Sequence, residues 1–328
     1  MLQKTLIAST VLIALAGCSS LPSDEVCTPD TRVEIEQADV KIPSTEDVKV
    51  VVLAPNITFD DEAKTKLISS MRNELETQIS HSGAELVDRS LANKLKKEVM
   101  FAEQSGRYST QGASIADIAV ITEITASDLT YKYTKAGSYK KSNGETVRFP
   151  AECDFKVNVE AVAKVVAIPS MELLKRIEMQ GDKTVTIEES KSSCPISVGQ
   201  YQSLASKAAM EAVEYTYELK QMLAASAPVS EFRQCEHGNM VKLNMGKNKK
   251  VTPGSEIIFT KGMQSMEGDV EIFPIGTGYV VDNEYNAVTS QNSWVSIDDE
   301  TASKIQIGSL GKIVPEDCHW SNLECLMK

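Results

Sequence analysis

The sequence has little of what an enzyme or a nucleic-acid-binding protein needs. It holds three histidines, His81, His237 and His319. No G-x-S-x-G elbow, P-loop or H-E-x-x-H motif occurs, so no catalytic residue is assigned. Gly276-Thr277-Gly278 is followed by no helical pattern and does not form a dinucleotide fingerprint. Positive charge is also short: 34 Lys and Arg face 46 Asp and Glu, a net charge of -12. Such a surface repels a phosphate backbone, which excludes nucleic acid as the main partner. Beyond the N-terminus no apolar run approaches the length of a membrane-spanning helix, which excludes a polytopic helical membrane protein. Long repeats and low-complexity tracts are missing as well. With 42% hydrophobic and 24% charged residues, the chain has the composition of a folded protein rather than a disordered or collagen-like one.

What is present begins with an address. The 328 residues suit about two domains. The first eighteen, MLQKTLIASTVLIALAGC, place Lys4 before an apolar stretch from Leu6 to Ala16 and end in Leu15-Ala16-Gly17-Cys18. The stretch is too short to span a bilayer as a helix. The segment resembles a bacterial lipoprotein signal with its lipobox. The resemblance implies cleavage after residue 17, a diacylglycerol on the Cys18 sulfur and acylation that includes palmitate. Acyl chains contribute about 0.8 kcal/mol per buried methylene, so several of them make a stable anchor. Ser19, by the sorting rule of such lipoproteins, implies the outer membrane, with the body facing the periplasm.

The lipobox changes the meaning of an odd cysteine count. Of seven cysteines, Cys18 is assigned to the lipid, leaving Cys27, Cys153, Cys194, Cys235, Cys318 and Cys325. An oxidising periplasm favours disulfides among them. Several connectivities are open. Placement along the chain favours Cys153 with Cys194, Cys318 with Cys325, and then Cys27 with Cys235.

The polar residues 18–46 read as a lipidated tether. Val48–Leu53 is a β-branched strand, followed by a helix over about Asp61–Ser80. Ala84–Val87 is a short strand. Asp88 stands where it can cap a second helix carrying Leu91, Leu95 and Val99. Lys94, Lys96 and Lys97 read as that helix's solvated face. Ile115–Thr125 is a strand, and Asn143-Gly144 marks a hairpin. Phe155 to Ala163 alternates as a half-buried strand. Leu173–Met179 and Lys183–Ile187 read as two strands around Gly181, and Tyr201–Ala224 as one long Ala-rich helix. Residues 226–230 have linker composition. Short β runs separated by Gly turns then fill residues 231–328: Val241–Met245, Glu256–Phe259, Val270–Phe273, Gly278–Val281, Trp294–Ile297 and Gly311–Val314. They predict a small β-barrel with a Cys-containing tail.

Four stretches carry a family resemblance over residues 47–225: VKVVVLAPN (Val48–Asn56), AELVDRSLANKLKKEVMFAEQSG (Ala84–Gly106), ADIAVITEIT (Ala116–Thr125) and the Ala-rich helix. In order and spacing they resemble the curli-secretion (CsgG-type) superfamily, which includes the N-terminal domain of TolB. The resemblance implies an α/β (α+β) CsgG/TolB-N-like domain. Glu123 stands where that family often has glycine. Curli channels build a pore from two amphipathic hairpins, but Ser127–Glu160 and Arg176–Gln200 here are rich in charge and poor in aromatics. A lipid-facing strand needs the reverse, so the expectation is a non-pore relative. KKVTPGSEIIF (Lys249–Phe259), GTGYVV and IQIGSLGKIV resemble the small barrel that ends the flagellar outer-ring protein FlgT.

The combination implies a non-enzymatic lipoprotein scaffold or assembly factor of envelope machinery, the flagellar basal body being the machine the resemblance suggests. Its expected contacts are the outer membrane, through the anchor, and envelope proteins, with a homo-oligomeric ring as a further expectation. A secretion-channel subunit and an activator of a peptidoglycan synthase are the alternatives. No cofactor and no metal site is expected: Cys235-Glu236-His237 and Cys318-His319 lack zinc-ligand spacing. Asp88, Arg89 and Trp294 are the partner-contact candidates. The competing readings are a cap and ion pair for the first two and barrel core for the tryptophan.

Overall fold

The computed structural model describes residues 24–105, 116–283 and 285–315. Cys18, Cys318 and Cys325 lie outside them, as does the expected Cys318–Cys325 pairing. In chain order the elements are β1 (Lys49–Val52), β2 (Asn56–Ile57), α1 (Lys64–Ser82), β3 (Glu85–Leu86), α2 (Arg89–Ser105), β4 (Ile118–Thr134), β5 (Gly137–Lys140), β6 (Thr146–Phe149), β7 (Glu152–Ala167), β8 (Leu173–Glu188), α3 (Val198–Glu214) and α4 (Tyr217–Leu223). The barrel follows with β9 (Ser226–Cys235), β10 (Gly238–Leu243), β11 (Glu256–Gln264), β12 (Val270–Val280), β13 (Ser293–Ile297), α5 (Asp299–Lys304) and β14 (Leu310–Ile313).

A mixed sheet, ordered β3-β1-β4-β7-β8 with β2 also on β4, forms the first domain. The pairs β3–β1 and β1–β4 are parallel, while β4–β7 and β7–β8 are antiparallel. Period-2 alternation sets its faces. On β7, Cys153, Phe155, Val157, Val159, Ala161, Ala163 and Val165 are buried, in one core with Leu67, Met71 and Leu75 of α1 and Leu204, Ala208 and Ala212 of α3. On the other face, a smaller core joins Val51 and Val166 to Ala92, Leu95 and Val99 of α2. A Ser197 capping box with Gln200 starts α3.

Gly181 does not divide two strands: β8 runs through it unbroken. A Cβ there would stand 2.2 Å from the Ala212 nitrogen and 2.3 Å from the Ala208 carbonyl oxygen. The glycine lets α3 lie on the strand. The expected helix over Tyr201–Ala224 is instead α3 and α4, interrupted at Tyr215 and Thr216.

The second domain is a closed barrel in the order β10-β13-β12-β11-β14-β9. Its core includes Val229, Val241, Leu243, Phe259, Val280, Val295 and Ile297. Residues 226–230 are not a linker. They open β9, pairing at Ser226–Pro228 with β14. A narrow barrel takes small inward residues, and Ala227 is buried there. The runs at Val270 and Gly278 belong to one strand, β12.

Residues 24–46 are not a free tether either. Cys27 is disulfide-bonded to Cys235. Isolated bridges join Arg32 to Arg233, Gln37 to Ile307 and Val40 to Gly262. Ile42 is buried. The second disulfide joins Cys153 to Cys194. No helix among the described residues is long and apolar enough to cross a membrane.

Candidate functional site

Asp88 caps α2: its Oδ1 accepts from the Ser90 backbone N–H at 2.7 Å. That hydrogen bonding holds its carboxyl below the usual aspartate range. Arg89 donates through Nε to Glu76 Oε2 at 2.9 Å and through Nη2 to Asn73 Oδ1 at 2.7 Å. Glu76 also pairs with the buried Arg72, whose Nη2 donates to the Val52 carbonyl at 3.1 Å. This network joins both helices to the sheet. Asp88 and Arg89 are thus engaged within the domain. Lys96 is half-buried rather than fully solvated. Its Nζ donates to the Ala54 carbonyl at 2.8 Å, and burial lowers its pKa.

Trp294 is only 7% exposed, and the Arg233 guanidinium lies 4.0 Å from its ring centroid. It is barrel core, covered by a cation–π contact, and presents no contact surface. Cys235 is in a disulfide, so it offers no thiolate to a metal. His237 lies 3.2 Å from Glu25. Among the described residues, no cluster of three metal-ligating side chains forms. Tyr201 Oη donates to Asp61 Oδ2 at 2.6 Å and lies 3.1 Å from Ser127 Oγ. Burial, then the Asp61 carboxylate, pushes its pKa up to about 12. A phenol so held stays protonated at neutral pH and ties α3 to β4.

Sequence reasoning passed over the two least ordinary surfaces. One is a groove of about 380 Å³ between the domains. Its apolar lining comes from Leu174 on β8, Met222 on α4, Ile258 on β11 and Ile313 on β14, and Lys175, Glu218 and Lys312 line it as well. Lys312 is half-buried, which lowers its pKa, and its Nζ meets the Met222 carbonyl at 3.5 Å. The other is the β11–β12 hairpin, which runs past the last β14 pairing at Thr260 and past the last β13 pairing at Gly278. Its outer part is an arm bearing exposed Met263, Met266, Val270, Ile272 and Phe273. Uninterrupted apolar alternation across the Pro274-Ile275-Gly276 step would have been the signal for one long strand there.

A third surface is polar. On the outer half of the sheet, the face away from α3 carries Asp128, Lys132, Lys156 and Asp182, with Lys156 and Asp182 3.2 Å apart. Each of these four residues is exposed.

No family model matches the chain. No curated protein matches it either. Among solved structures it is similar to a neuraminyllactose-binding hemagglutinin homolog from Helicobacter pylori, with 12% identity and a TM-score of 0.33 over 56% of this chain and 92% of that one. Lipoprotein GNA1162 from Neisseria meningitidis matches at 13% identity and a TM-score of 0.23, over 49% and 94%. The PelC dodecamer from Paraburkholderia phytofirmans matches at 10% identity and a TM-score of 0.23, over 54% and 96%. Similarity this low carries no functional argument.

Proposed function

We propose that the protein is a non-enzymatic, lipid-anchored scaffold of the bacterial envelope, held on the outer membrane with its two domains facing the periplasm. One observation carries the reading. The Cys27–Cys235 disulfide fixes the chain to the barrel nine residues after the lipobox cysteine. Nine residues reach at most about 30 Å. An acylated Cys18 would therefore hold the folded body against the membrane surface rather than on a long leash. A restricted search volume of this kind raises the effective concentration of envelope partners. Envelope machinery is the partner class, with the flagellar basal body as the finer suggestion of the barrel's sequence.

The sheet supports a body outside the lipid. One face of β7 and β8 is covered by α3, and the other face of the sheet carries the four exposed charges just described. The charged face offers none of the apolar rows a lipid-facing hairpin requires. Radiolabelled palmitate should enter the wild-type protein, which should fractionate with outer membranes. Cys18→Ala should take up no label and leave the membrane fraction. Equal labelling of both, or of neither, overturns the proposal.

A further inference from the structure

Two of the surfaces above have opposite and matching character. The arm carries Met263, Met266, Val270, Ile272 and Phe273, from 40% exposed at Phe273 to fully exposed at Met266. Contiguous apolar exposure of this kind marks a contact site. Around its tip stand three carboxylates, Glu267, Asp269 and Glu271, while the arm's lysine, Lys261, lies toward its base. The groove's lining is largely apolar and includes two lysines, Lys175 and Lys312. Among the described residues, neither Lys175 nor Lys312 forms an ion pair, with Glu218 or with any other carboxylate. Lys312 is half-buried without a counter-charge, a cost that an incoming carboxylate would recover.

We propose that the arm of one copy seats in the interdomain groove of a second copy of this chain, its acidic tip against Lys175 and Lys312. The arm cannot fill its own groove. Thr260 lines that groove, and Met266 is six residues further along the same hairpin, roughly 20 Å away. Folding back would break the β11–β12 ladder, which stays paired out to Gln264 and Val270. The groove holds space for a few apolar side chains, and the tip supplies both the methionine and the charge. Different surfaces meet, so the contact is of the kind that builds reciprocal pairs or closed rings. The proposal stands whether or not Cys18 is acylated.

The test uses the full-length chain in cells, with p-benzoylphenylalanine placed at Met266 and a second, differently tagged copy. Irradiation should give an adduct of two chains whose cross-linked peptide comes from residues 173–175, 218–222 or 310–315 of the other tag. Lys175→Glu, at an exposed position, should reduce that adduct several-fold, and so should Glu267→Lys with Asp269→Lys. Co-expressing the two variants should restore it, because each mismatch is corrected by the other. Unchanged yields of periplasmic protein would show that both variants fold. No adduct, an adduct confined to one chain, or one formed only with another protein overturns the proposal. So does failure of the paired variants to rescue.

Discussion

At Gly181 the decisive atoms are backbone atoms of α3, 27 and 31 residues further on, at Ala208 and Ala212. A Cβ would come within 2.3 Å of the Ala208 oxygen and 2.2 Å of the Ala212 nitrogen, and neither can yield without shifting α3. Overpacking of this kind costs about 1–3 kcal/mol. Gly181→Ala should fall at the upper end, read as a lower urea midpoint at unchanged slope. Gly199→Ala is the control: nothing lies within 4 Å of its added methyl, and its helical site should favour alanine by about 0.5–1 kcal/mol. If both variants unfold alike, close approach is not what the glycine provides. The same residue shows where a single sequence stops being legible. A glycine beside Asp182 and Lys183 looks like a turn, and only α3 reveals that it is a contact. Asp88 was more legible, because a capping aspartate acts on its own neighbours. The barrel-core reading of Trp294 holds, whereas its cover, Arg233, comes from a strand that the short β runs of the sequence did not include.

At the scale of elements, β7 was readable because one face is continuously apolar and the other is not. β8 was harder: its buried face includes Met179 and Gly181 and then only half-buried Lys183, Val185 and Ile187, so the periodic signal fades midway. The groove and arm depend on which strands end early, which local composition does not encode. The cysteines did report on long-range order, since Cys153 opens β7 and Cys194 precedes α3 by a short loop. Their bond closes a loop of sequence separation 41. Chain entropy places its value at about 4 kcal/mol, and measured bridges usually give 2–4. Both sulfurs are buried, so alanine at both positions removes the link without leaving a buried thiol. Cys153→Ala with Cys194→Ala should therefore lose about 2–4 kcal/mol by chemical denaturation. Amide exchange should rise first in the opening turn of α3, which that loop positions. A loss below about 1 kcal/mol would mean that the capping box and the sheet already hold the loop.

For the whole molecule, the question is what makes two domains and a wrapped N-terminal segment one body. Their meeting point is the C-terminal end of α1, where Gly83 takes a left-handed conformation. Lys249, from the barrel, lies against Gly83 with its side chain 3% exposed. Its Nζ is 2.6 Å from a Glu46 carboxylate oxygen, an ion pair by distance without the alignment of a hydrogen bond. Thr45 Oγ1 donates to the Ser82 carbonyl at 2.7 Å, and the Thr45 backbone N–H donates to Ser226 Oγ at 3.1 Å. A cation suits the carbonyl end of a helix, but this site already has one, and Lys250 brings another beside His81. The His81 Nδ1 is buried with no hydrogen-bond partner among the described residues. Burial first, then Lys250, lowers the His81 pKa below 6.5, with Glu74 opposing. Natively, then, His81 holds its proton less readily than in the unfolded chain. Below pH 6.5 the unfolded state binds more protons, so this residue's contribution makes stability fall as pH drops toward the native pKa. Above 6.5 the penalty vanishes. His81→Gln cannot titrate, so its stability relative to wild type should improve between pH 7.5 and pH 5.5, measured by urea unfolding at each pH. A constant difference across that range would show that the imidazole is neutral to the junction. A growing one would identify the join between the domains as the part of the molecule that acid loosens, because His81 is within two residues of the glycine on which Lys249 rests.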